Sequence, residues 1–431
     1  MRVRTIAVVA GLAAVLGVTV AVSAAAGKTQ GADSITVWLQ PEAKSGWQAA
    51  VDAATTAFEA KHPGVQVNVE EQQWTEHLAK LDASLAGGTV PDVVELGNSE
   101  MAKYMAAGAF ADLTSAKSAF PNSSTWLKGL TDSATYNGRL FGVPYYAGAR
   151  AVIYNKALYK GAGITRTPRT LDEFVADGQK LMAKYGSDPN FSAFYYAGRN
   201  WHNGMAWVYD YGGAIARFKD GQWVGTLEAP QAVKGLTKLK SIVLSLSRAT
   251  KTNDEAHPWQ ALVFSKGKVG SILGNGWEWG QAIDKKGGGN PKIAPLMAAY
   301  PMPSHVKGRY LPTFVGGSDL AIPAASPNRD LAIDWIAAFT SSANETLMAK
   351  AGNIANTTTL AGVNKTSPQL YPFALAAKDG WFIPSAKNWT TVEKSFVLEN
   401  MLVSIFTNKA TVQDAAKKAD DQIESILNEG A

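Results

Sequence analysis

Residues 35–96 read ITVWLQPEAKSGWQAAVDAATTAFEAKHPGVQVNVEEQQWTEHLAKLDASLAGGTVPDVVEL, and this stretch decides the fold. ITVWL (35–39) is rich in β-branched and aromatic residues and predicts a first strand. Over 47–61 the apolar positions Trp47, Val51, Ala54 and Phe58 recur at helical spacing, and His62-Pro63-Gly64 stops the helix. VQVNV (65–69) alternates as a second strand. Leu78, Leu81 and Leu85 stripe a helix over 76–85 that ends at Gly87-Gly88, and PDVVEL (91–96) predicts a third strand. Strand, helix, strand, helix, strand at these lengths implies right-handed crossovers and a mostly parallel sheet covered by helices. Ligands of such sheets sit at the carboxyl ends of the strands, here the loops 40–45, 72–75 and 97–100.

Further along, 150–154 predicts another strand, and 171–185, 229–245, 328–339 and 411–427 predict helices. A chain of 431 residues exceeds one ordinary core, and no repeat of a few tens of residues is visible. The expected fold class is therefore α/β, with two α/β lobes.

Composition removes several classes of function. The 41 Lys plus Arg barely exceed the 36 Asp plus Glu and form no stripe interleaved with aromatics, so nucleic acid is not an expected partner. Cysteine is absent, which excludes disulfides, thiolate zinc sites and a cysteine nucleophile. His62, His77, His202, His257 and His305 lack HxH or HxxxH spacing, so no metal or cofactor is expected. Arg2 and Arg4, the apolar stretch 6–22 and the small residues Ser23 to Ala26 make an export signal over 1–26, followed by a polar linker over 27–32. The uncharged run 5–27 is also long enough to stay as a membrane anchor, but its small-residue end favours cleavage near Ala24 or Ala26. Without a Cys there is no lipid-anchor site, and an exported protein on the outer side of the membrane is expected.

Nine pieces, in order, carry a resemblance: ITVW (35–38), FEAKHPGVQVNVE (58–70), PDVVELGN (91–98), AAGAFADLT (106–114), YNGRLFGVPY (136–145), IYNKALY (153–159), TPRTLDEF (167–174), FSKGKVGSILGNGWEWG (264–280) and GGSDLAIPAASPNRDLAIDWI (316–336). The chain resembles the extracellular solute-binding proteins of carbohydrate ABC importers, the group that includes maltose-binding protein. The resemblance implies a periplasmic-binding-protein-like fold whose two lobes hold a sugar in the cleft between them. By matching positions, lobe 1 takes 33–144 plus 291–343 and lobe 2 takes 145–290 plus 344–431, with hinges near Tyr145 and Asn290. It also implies a monomer without catalytic residues, working with membrane permease subunits. The combination WLQ, VELGN and KYMAAGAFADLT looks closer to binders of N-acetylated chito-oligosaccharides.

A sugar has hydroxyls at its rim and hydrocarbon patches on its faces, so its site needs aromatic platforms and planar donors and acceptors. Gln40 and Trp74 lie in the first and second strand-end loops, and Asn98 follows the third strand, where it serves equally as a ligand contact or a helix cap. Tyr145, Arg150 and Gly317 lie where the chain crosses between lobes; Arg150 forks to hydroxyls or to a hinge carboxylate. Trp277 in GNGWEWG corresponds by motif to a sugar-stacking Trp of the maltose-binding group, whereas Trp279 reads as core and Glu278 as a solvated or supporting carboxylate. Trp201 and His202 in GRNWHNG lie where relatives place an aromatic contact, and one of Trp381 and Trp389 is expected to cover the ligand. Near 395–399 maltose binders place an aromatic and an Arg; Ser395 and Glu399 stand here, which puts maltose in doubt.

Two other classes compete. A secreted carbohydrate-active enzyme shares an aromatic cleft but needs two committed carboxylates, and no motif here commits any; GxSxG, Walker-type and HExxH sequences are absent. A sugar-sensing or adhesion protein shares both fold and cleft and is separated only by its partner.

Overall fold

The computed structural model describes residues 34–430, so the expected signal segment 1–26 and linker 27–32 lie outside the described residues. Three strands arise as read: β1 (Ser34–Leu39), β2 (Gln66–Glu71) and β3 (Val93–Gly97), separated by α1 (Pro41–Lys61) and α2 (His77–Gly87). α1 starts six residues before the expected 47, because Pro41 sits at its first turn, where a missing N–H costs nothing. Its first turn carries no apolar stripe, which hid it from the periodicity. Trp47 breaks the helix with φ −145° and ψ 40°, and its Nε1 donates to the buried Tyr145 hydroxyl.

After α3 (Met101–Ala106) the chain enters β4 (Gly142–Gly148) and, one residue later, β5 (Arg150–Asn155). A second set follows: α4 (Leu171–Tyr185), β6 (Ser192–Tyr195), α5 (Trp201–Asp210), α6 (Pro230–Leu246), α7 (Gln260–Ser265), β7 (Val269–Asn275), α8 (Gly276–Ile283) and β8 (Met297–Tyr300). The chain then returns through β9 (Gly316–Ala321), α9 (Arg329–Phe339), α10 (Ser342–Lys350) and β10 (Ile354–Ala355), and ends in α11 (Trp389–Lys394), α12 (Val397–Phe406) and α13 (Val412–Leu427).

Two sheets result. The first has the order β10-β4-β9-β3-β1-β2, and the second β8-β5-β7-β6. The first is parallel only across β2-β1-β3; β9, β4 and β10 each pair antiparallel with their neighbours, so the expected mostly parallel sheet is in fact mixed. The physical reason is that β9, the strand that returns from the second lobe after Val315, runs opposite to β3 and inserts between it and β4.

Each sheet buries both faces. Ile35, Val37 and Leu39 pack with Phe58 and Trp335 under α1 and α9, while Trp38 and Leu96 pack with Leu81 and Tyr104 under α2 and α3. In the second sheet Val152 and Leu273 face one core and Ile153 and Ile272 the other, the alternation a two-sided sheet requires.

The strand pairing corrects the expected division of the chain. β8, assigned by resemblance to lobe 1, pairs with β5 in the second sheet. All of β4 through Gly148, and β10, lie in the first sheet. Asn290 is no crossing point: its amide donates to the Ser265 carbonyl at 3.1 Å, and its backbone N–H to Ala282, all within the second lobe. The chain crosses instead at Ala149, at Val315 and beyond Ala355.

Candidate functional site

At the carboxyl ends of β1 to β3 the backbone N–H of Gln40 donates to Glu95 Oε2 at 2.8 Å. Burial raises the Glu95 carboxyl to about 7. Both amide atoms of the Gln40 side chain and Glu95 Oε1 are buried without a protein partner. Such groups cost free energy unless something satisfies them. Asn98 caps no helix; its Nδ2 donates to Val315 O at 3.3 Å and its N–H to Gly317 O at 2.9 Å, which pins the strand end to the crossing segment. Trp74 is 37% exposed. Its Nε1 donates to both Glu42 oxygens at 3.0 Å, and its ring meets His77 edge-on at 5.2 Å. His77 in turn meets Glu100 at 2.9 Å; burial alone would lower its pKa, but the Glu100 carboxylate outweighs this and raises it.

The floor is made by the crossing strands. Tyr145 is fully buried, held by Trp47 and packed edge-on to Tyr146 at 4.7 Å, so its ring serves the first core rather than an open cleft. Gly317 is obligatory, because a Cβ there would lie 2.0 Å from the Tyr146 carbonyl oxygen. At Gly148 a Cβ would meet Trp277 Cζ3 at 2.7 Å.

On the second lobe the carboxyl ends of β6 and β7, which run parallel, gather the remaining residues. Leu273 O accepts from Asn203 Nδ2 at 2.8 Å and from Gln260 Nε2 at 3.1 Å. Gln260 also reaches Glu278 at 2.9 and 3.1 Å, and Glu278 Oε2 accepts the Asn275 N–H at 2.7 Å as part of a capping box on α8. Glu278, expected in solvent or in support, is buried, and burial raises its carboxyl to about 7. This one hub fixes the starts of α5, α7 and α8.

Trp277, in the first turn of α8, keeps 38% of its surface open with one edge against Gly148, while Trp279 is core as expected. Arg150 pairs with Asn275 across the sheet. Burial lowers its pKa against the opposing fields of Glu255 and Glu278, and its guanidinium makes no ion pair within the described residues. His202 contacts Glu255 at 3.3 Å; burial outweighs that carboxylate and lowers the His202 pKa. Trp201 is buried, stacked on His202 at 4.0 Å. Trp381 is buried and stacked on Tyr209 at 4.7 Å, and Trp389 is fully buried with its Nε1 on Glu393 at 2.8 Å. These two rings complete the second core, where Trp201 joins them at 6.1 to 6.3 Å.

A separate groove of about 860 Å³, lined from both lobes by residues such as Leu127, Ile354, Tyr371 and Phe382, has mostly apolar walls. Of the expected site residues only Trp381 reaches it, and the planar donors stand elsewhere. Among the described residues no group of His, Asp and Glu is arranged to hold a metal, and no helix is long and apolar enough to cross a membrane.

The family model for the bacterial extracellular solute-binding protein matches residues 39–346. The chain belongs to that family. Among its relatives, this solute-binding protein is 32% identical over 409 residues to the diacetylchitobiose-binding protein DasA of Streptomyces coelicolor, covering 93% of this chain and 92% of that one. Its fold matches the GacH receptor of Streptomyces glaucescens, with TM-score 0.75 at 20% identity over 92% of this chain and 98% of that one. The sugar-binding protein MalE of Xanthomonas citri superposes with TM-score 0.78 at 17% identity, over 92% and 98% of the two chains. At those identities the structures establish the two-lobed fold alone.

Sequence reasoning missed Glu255 and Gln260. The signal was present: Trp259-Gln260 and Trp277-Glu278 each set an indole beside a long polar side chain at a helix start.

Proposed function

We propose that this solute-binding protein captures a neutral oligosaccharide outside the cytoplasmic membrane, without catalysis or cofactor, and presents it to the permease subunits of an ABC importer. The observation that carries the reading is the pair of half-open indoles, Trp74 from the first lobe and Trp277 from the second, at strand ends where ligands of such sheets lie. Arg150, His202 and the unpartnered Gln40 amide supply donors and acceptors for hydroxyls. Similarity to a diacetylchitobiose-binding relative makes N,N'-diacetylchitobiose the first ligand to try. The lobes, taken as 34–148 with 315–364 and 149–314 with 365–430, close about the crossings at Ala149, Val315 and the segment after Ala355. Residues 1–26 direct export.

The test is a thermal-shift and calorimetric screen against mono- and oligosaccharides, since a ligand of the folded state raises the melting temperature by mass action. Product chromatography accompanies it. Binding without turnover supports the reading, and hydrolysis of any bound sugar replaces it with an enzyme. N-terminal sequencing of secreted protein checks removal of 1–26.

A further inference from the structure

Trp259 has no place in the site drawn so far, yet it is 45% exposed, more than Trp74 or Trp277. Among the tryptophans of the described residues most are buried, as Trp207, Trp335 and Trp389 are completely, and Trp259 is the most open of them. Its loop belongs to the same edge as Trp277. Asn253 O accepts the Arg199 N–H at 2.8 Å beside the start of α5, Glu255 reaches His202, and the Gln260 N–H closes the loop on Glu255 O at 2.8 Å.

Two helix starts are clamped together at this edge. Trp259 is the residue before α7 and Trp277 lies in the first turn of α8. The next residue in each case is the polar one, and Gln260 and Glu278 bond directly to each other and to the same end of β7. Both polar side chains are buried and both preceding indoles are open. The clamp fixes the two helix starts, and with them the backbone positions that carry the two indoles, relative to each other.

We propose that Trp259 is a second sugar platform, held at a fixed offset from Trp277 by the Gln260–Glu278 hydrogen bonds, so that the ligand is an oligosaccharide long enough to lie on both rings. This rests on the sugar reading above and adds ligand length to it. Gln260 is a positioning residue, because its side chain is buried and acts through the two helix starts.

Calorimetric titration of wild-type and variant full-length protein with N-acetylglucosamine, N,N'-diacetylchitobiose and tetra-N-acetylchitotetraose, beside lactose and maltotetraose, tests it. Trp259→Ala is expected to weaken the longest bound sugar about tenfold while changing the shortest bound one less than about twofold. Trp259→Phe, which keeps a ring, should recover most of that loss. Gln260→Ala keeps both indoles but releases their offset, and should weaken the longer sugar selectively. If it fails to fold, the exposed Trp259 pair of variants still decides the matter. A wild-type protein that binds its sugars, with Trp259→Ala equal to it at every length, overturns the platform and leaves the sugar reading intact. A wild-type protein that binds no sugar of the series overturns the reading and the platform with it.

Discussion

Replacing Trp277 by Ala separates a platform from a packing residue. The ring is 38% exposed before any ligand arrives. With ~250 Å² for a whole indole side chain, roughly 95 Å² remains for a sugar face to cover, which at ~25 cal/mol per Å² is about 2 kcal/mol. Trp277→Ala should therefore weaken the bound sugar about thirtyfold. Its cost in stability should be smaller than that of a core ring, since more than a third of it is open and it belongs to neither lobe's core. Trp335 is the matched control. It is completely buried, tilted against Phe339 at 4.8 Å in the first lobe, and Trp335→Ala should cost ~3 to 5 kcal/mol of stability. Affinity by calorimetry and denaturant midpoint by circular dichroism, measured on both variants, distinguish the cases. A Trp277→Ala protein with wild-type affinity and a midpoint as low as that of Trp335→Ala would refute the reasoning.

Three more outcomes are expected. Burial raises Glu95, Glu278, Glu393 and Glu399 to about 7 and Asp319 to about 8, so each holds its proton more tightly folded than unfolded. Their contribution to stability is complete below the unfolded carboxylate value and is lost as the pH rises through 7 to 8, so the melting temperature should be higher near pH 5.5 than near pH 8.5. Asp319→Asn should flatten the upper part of that profile, and an unchanged slope would remove Asp319 from the account. Gly317→Ala drives a methyl into the Tyr146 carbonyl and should lower the denaturant midpoint strongly, whereas Gly280→Ala, with open space at its Cβ, should not. Sugar titration in excess chelator should match titration without it; loss of binding on chelation would overturn the metal-free reading.

The elements themselves were legible because their signals are local. The β-branched and aromatic run of β1, the stripe of α2, and the helix of α4, which begins where the Thr170 side chain accepts from Glu173 N, each lie within one window of sequence. The carboxyl-edge loops holding Gln40, Trp74 and Asn98 followed from those elements and the general placement of ligands in such sheets. Trp279 read as core and is core.

What escaped depends on pairing between distant segments. Met297–Tyr300 carries nothing that says which sheet it will join, and only its ladder with β5 puts it in the second lobe. Burial of an indole is likewise a property of its neighbours. Trp389 and Trp259 look alike in a sequence, each beside polar residues in a loop-rich stretch, yet one fills the core formed with Trp201 and the other stands in water. The sequence by itself determined the two α/β lobes and the family, because periodicity and motif order survive in one dimension. Only the tertiary structure decided which strands cross, which rings stay open, and that Gln260 and Glu278, eighteen positions apart, meet to hold two of them. Those outcomes depend on the packing of side chains from separate elements, for which no local pattern stands in.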